Sequence, residues 1–150
     1  MKVPELKQRL EAAGCSPLNY SIAPHGDVKR WEPSGPNDSF CLAEREGIWQ
    51  VYYSERGHDS PPIFREQNEE KACSFFFDYI TAMRHDHCVG FFQSESKAKN
   101  LQAEIIALEV DARRDNILWA TNEKRYRVFV TGRAIFKVRG KYGAMLPIKD

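Results

Sequence analysis

Apolar and polar positions alternate along this chain with two different periods, and the period changes mark its elements. Leu6, Leu10 and Ala13 recur at helical intervals behind Pro4, and a proline in the first turn with Gly14 at the stop predicts a short amphipathic helix. Residues 16–38 break the pattern with Pro17, Pro24, Pro33, Pro36, Gly26 and Gly35. Lost donors and backbone freedom there predict a long ordered loop, from which Trp31 stands out as the large apolar side chain. Alternation follows: Phe40 and Leu42 share a face within 39–46, and Trp49, Val51 and Tyr53 share one within 48–53. The two runs read as antiparallel strands joined tightly at Gly47. After a polar stretch with Gly57, Pro61-Pro62 leads into residues 63–65, a third strand at the edge of a meander because proline cannot donate to a ladder. Residues 67–84 return to the helical period through Ala72, Phe75, Phe76, Tyr79, Ile80 and Met83. Glu69 and Glu70 fall in the first turn, where carboxylates suit the helix dipole.

The pattern then restarts. Residues 87–92 predict a strand, Ser94 caps a helix carrying Ala98, Leu101, Ile105 and Leu108, and residues 110–114 return extended. Residues 116–124 read as a turn with an apolar centre at 117–119, residues 126–130 as a further strand, and Gly132 as the opening of a short helix through Val138. Beyond Gly140 an irregular tail is expected. The fold class is therefore α+β in two modules: over 1–85 a helix, an antiparallel three-stranded meander and a covering helix; over 86–150 a β-α-β-β module.

Composition adds that the chain can fold. Its 150 residues are 42% hydrophobic and 12% aromatic, enough for a core. The net charge of +1 argues against a protein held to nucleic acid by bulk electrostatics, so no nucleic-acid partner is expected. That average hides a split: residues 1–85 hold ten basic and thirteen acidic side chains, residues 86–150 twelve and eight. No apolar run approaches a membrane span and the first fourteen residues carry regular charges, which predicts a cytoplasmic protein without a membrane partner. Cys15, Cys41, Cys73 and Cys88, spaced 26, 32 and 15 apart, suit reduced thiols better than a disulfide framework.

Candidate chemistry is sparse. His85 and His87 flank Asp86 ahead of Cys88 and would point to one side of an extended segment, yet zinc needs three or four ligands and no recognised spacing supplies the rest, so no metal is expected. No P-loop, Rossmann glycine run, GxSxG or HExxH occurs, so neither a cofactor nor a catalytic residue is assigned; Cys88 with His58 is the pair an enzymatic alternative would use. Arg113, Arg114, Lys124, Arg125, Arg127, Arg133, Lys137, Arg139 and Lys141, interleaved with Tyr126, Phe129 and Phe136, offer a second alternative, a single-strand nucleic-acid binder. The first module instead concentrates acids, Asp27, Glu32, Asp38, Glu44, Glu46, Glu55 and Asp59, where exposed loops would present them to a basic partner.

One run is specific. Trp49-Gln50-Val51-Tyr52-Tyr53-Ser54-Glu55-Arg56-Gly57, preceded by Phe40-Cys41-Leu42 and followed by Ile63-Phe64 and Glu69-Glu70-Lys71-Ala72-Cys73-Ser74-Phe75-Phe76, resembles a family of small immunity proteins from bacterial polymorphic-toxin and contact-dependent growth inhibition systems. The likeness covers about residues 1–85. It implies a non-enzymatic antitoxin that binds one cognate toxin domain in a one-to-one heterodimer and blocks its active site, the toxin being a nuclease such as an RNase. Under that resemblance Trp31 is the anchor and Asp27, Glu32, Asp38, Glu55 and Asp59 are the charges that would lie along a basic substrate path. Val89-Gly90-Phe91-Phe92 and Tyr126-Arg127-Val128-Phe129-Val130-Thr131-Gly132 give the second module a weak likeness to SPOR-type, half-ferredoxin folds.

Overall fold

Helix α1 (Val3–Ala12) turns Leu6 and Leu10 fully inward, and its end is built from backbone. Gly14 takes a φ of 77°, its N–H donates to the Glu11 carbonyl at 3.0 Å, and the Cys15 N–H donates to the Leu10 carbonyl at 3.1 Å, so two otherwise orphaned carbonyls are satisfied. A computed structural model of the chain describes residues 1–23, 38–120 and 122–150. Contacts divide it into two units, Met1–Met83 and Arg84–Asp150, and the class is α+β.

In the first unit β2 (Asp38–Arg45) and β3 (Ile48–Glu55) are antiparallel. Glu46 and Gly47 join them with φ values of 53° and 78°; two successive left-handed residues match the twist of a hairpin. Strand β4 (His58–Asp59) folds back on the far end of β3, and β5 (Phe64–Glu66) pairs along its near half, Trp49 to Val51. Helix α2 (Glu69–Thr81) starts at Asn68, whose Oδ1 accepts from the Lys71 N–H at 3.0 Å. It lays Phe76 and Ile80 onto Leu42 and Val51 in one core with Leu6 and Leu10. Phe64 stacks on Phe75 at 4.1 Å between ring centres, which holds the short edge strand to the helix. The expected meander is present as β2, β3 and β5. The expected loop over 16–38 is not wholly irregular: β1 (Tyr20–Ala23) pairs in parallel with β2 from Phe40 to Ala43, a pairing that local periodicity cannot reveal because its partner lies beyond the loop.

The second unit runs β6 (Asp86–Phe92), α3 (Glu95–Ile106), β7 (Arg113–Trp119), β8 (Glu123–Thr131), α4 (Ala134–Tyr142) and β9 (Ile148–Lys149), with sheet order β7-β8-β6-β9. Ser94 Oγ caps α3 by accepting from the Lys97 N–H at 3.3 Å. Val128 and Val130 of β8, Leu101 and Ile105 of α3, and Ile135 and Val138 of α4 form a separate core. A Cβ on Gly90 would stand 2.7 Å from both Leu101 Cδ2 and Phe92 Cε2, so the strand meets α3 through bare backbone. Three expectations are corrected. The strand expected at 110–114 lies at 113–119, so Ile117 to Trp119 form its end and not a turn. The last helix extends past Val138 to Tyr142. The tail beyond Gly140 is not irregular throughout, since β9 pairs in parallel with β6.

Candidate functional site

The acids assigned to the first module separate into three situations. Asp27, Trp31 and Glu32 lie outside the described residues. Asp38 and Glu55 face each other across the β2–β3 ladder, at the end remote from the Glu46-Gly47 turn. Beside them Arg56 and Gly57, at φ 47° and 84°, reverse the chain into β4. The Asp38 Oδ1 accepts from the Arg56 N–H at 3.2 Å, so one carboxylate both borders this corner and pins its turn. The Glu55 carboxylate makes no hydrogen bond or ion pair among the described residues, and the residue is exposed. Burial pushes the Tyr53 phenol up, and the charges of Asp38 and Glu55 push it further, a measure of the negative potential they create together.

Asp59 belongs elsewhere. Its Oδ2 accepts from Arg45 Nη2 at 3.1 Å, and the Arg45 guanidinium lies 4.2 Å from the centre of the Tyr52 ring. This ion pair straps the sheet face opposite the helices, where Cys41, Ala43 and Tyr52 are buried. Asp59 is a structural acid in this geometry. The Ser-Glu-Arg-Gly run is likewise a turn: Ser54 is buried, and Glu55 to Gly57 form the corner.

The cations of the second unit also divide. The arginines on strands are matched by carboxylates, whereas among the described residues Lys124 on β8 is not: Arg113 Nη2 lies 2.8 Å from Asp86 Oδ1, Arg125 Nη1 lies 3.2 Å from Glu123, and Arg127 forms a two-bond fork with Asp115 at 2.7 and 2.5 Å. Arg114 Nη1 stands 3.8 Å from Glu95. Arg127 also packs over Phe129 at 4.9 Å. By contrast, no carboxylate of the described residues pairs with Arg133, Lys137, Arg139 or Lys141 on and around α4. In the sequence these cations form one set, because the helical period that separates those of α4 runs on past Val138 to Tyr142.

His85 and His87 are both buried, and among the described residues no group of three His, Cys, Asp or Glu side chains is placed to hold a metal ion. Cys88 lies on β6 and His58 on β4, in different units. Burial pushes the Cys88 thiol up, away from the thiolate a nucleophile needs. Cys73, on the buried face of α2, is pushed to about 11 by burial and the nearby Glu69 charge. All four cysteines are free.

Comparison with protein-family models, curated proteins and solved structures returns no match. No helix among the described residues is long and apolar enough to cross a membrane.

Proposed function

We propose that the protein is an immunity protein, acting in the cytoplasm, that neutralises a cognate toxin domain, a nuclease such as an RNase, by one-to-one binding. The observation that supports this reading is the acidic corner: Asp38 and Glu55 stand side by side on a hairpin fixed by tight turns at both ends of β3. Rigid, exposed like charges of this kind attract a basic groove at low ordering cost and reject acidic partners. Asp27, Trp31 and Glu32, in the segment leading into that corner, and Asp59 are the further contacts of this reading.

The test is binding to the C-terminal domain of the toxin encoded immediately upstream. The expected affinity is nanomolar or tighter, and Asp38→Lys with Glu55→Lys should slow association about tenfold at low salt with dissociation little changed. Absence of binding to that domain removes the proposal.

A further inference from the structure

Four cations of the second unit that no carboxylate of the described residues pairs with, Arg133, Lys137, Arg139 and Lys141, lie on and beside one helix. Arg133, Lys137 and Lys141 follow one another at four-residue intervals, so on α4 they trace a stripe that drifts about 40° and rises about 6 Å per step. Ile135 and Val138, buried on the opposite side, anchor the helix and turn the stripe outward. Alongside it Phe136 is 38% exposed, and at Gly140 the space a Cβ would fill is open. The Arg139 guanidinium flanks the Phe136 ring at 5.9 Å from its centre. At the start of the stripe Arg133 and Lys137 form one wall of an open groove of about 430 Å³ shared with Glu109, Asp111 and Thr131, a size within the range of small-ligand sites.

We propose that α4 is a track for a single nucleic-acid strand, with phosphates on Arg133, Lys137 and Lys141 and a base stacked on Phe136 over the bare backbone at Gly140. Regularly spaced cations without carboxylate partners, of which Lys141 also lies over the Tyr142 ring at 5.4 Å, select a polyanion with regularly spaced charges, and an exposed ring beside them selects one that also carries flat apolar faces. The strand arginines are unsuited to this role because each already has a carboxylate. An anionic membrane fits less well, because the apolar side of α4 is spent on the core, leaving one half-covered ring to insert. This reading concerns the second unit and stands apart from toxin binding.

The full chain is titrated into a labelled single-stranded RNA of about twelve nucleotides, followed by anisotropy at about 50 and about 200 mM salt. Three phosphate contacts should weaken binding about twentyfold across that range. Lys137→Glu with Lys141→Glu should abolish most of the salt dependence together with the affinity, and Phe136→Ala should cost about tenfold at an unchanged salt slope. Lys124→Glu, an exposed strand position, should leave binding as it is, and circular dichroism should show all variants folded. No binding at the lower salt overturns the proposal, as does equal loss in Lys124→Glu. Displacement of the RNA by vesicles of equal parts phosphatidylcholine and phosphatidylserine, or tighter binding to a duplex of the same sequence, also overturns it.

Discussion

Asp86 gathers three donors on one carboxylate oxygen: Arg84 Nε at 3.0 Å, Arg113 Nη2 at 2.8 Å and the Thr131 hydroxyl at 2.8 Å. Burial alone would raise its pKa, but the hydrogen bonds from Arg84, Thr131 and Arg113 outweigh that and hold it below the usual carboxylate value. A carboxylate with a lowered folded-state value stabilises the fold above its unfolded pKa, near 3.9, and loses that contribution as pH falls through the folded value. Because the group is partly exposed, the contribution is about 1 kcal/mol at most. Asp86→Asn should therefore lower the urea midpoint of the second unit at pH 7 and flatten its decline below about pH 4. Parallel pH profiles for the two proteins would refute this. The same residue illustrates what sequence reading reaches: Asp86 was legible as part of a polar cluster with His85 and His87, but two of its donors, Arg113 and Thr131, arrive from other strands. The Arg45 partner of Asp59 is hidden from the sequence for the same reason, since Arg45 lies fourteen positions earlier and meets it only across the folded sheet.

Among the elements, those whose signal is local were readable. The β2–β3 hairpin declares itself through alternation and Gly47, and α2 through Phe76, Ile80 and its first-turn acids. Strand β7 was displaced because its burial does not alternate: Leu118 and Trp119 are 67% and 52% exposed on opposite sides of an outer strand, so three successive apolar residues imitated a turn. Strand β1 was invisible because four half-buried residues gain their order from β2 and not from their own pattern. The approach of α3 to β6 gives an element-scale prediction. Gly90→Ala places a methyl 2.7 Å from Leu101 and Phe92, both buried in the core, so two packed side chains must shift to admit it. The expected cost is about 1–3 kcal/mol, larger than the entropic gain from losing a glycine, and it is read as a lowered denaturation midpoint with an unchanged slope. An unchanged or higher midpoint would show that the two packed side chains yield freely.

For the whole molecule, a net charge of +1 describes neither half. The first unit presents an acidic corner and the second a basic helix, and each surface rests on a core of its own, with no residue shared between the two. Opposite local fields on separately packed units allow two unlike partners to be met by one nearly neutral chain. The pair of tight turns bounding β3 also sets a clock. Strands β2, β3 and β4 need only two-residue reversals to find one another, an event of about 1–10 μs for a hairpin. Joining β1 to β2 must first close the chain between residues 23 and 38, and joining β6 to Thr131 of β8 must close one of 45 residues. The ribbon around β3 is thus expected to be in place before the rest of the first unit condenses on it. In stopped-flow chevrons, Gly47→Ala, which forces a side chain into φ 78°, should chiefly slow refolding, whereas Ile22→Ala in β1 should chiefly hasten unfolding; the reverse pattern would put β1 first. A corner that forms this early spends the rest of folding exposed, so its acids are available to a basic surface before the protein beneath them is complete.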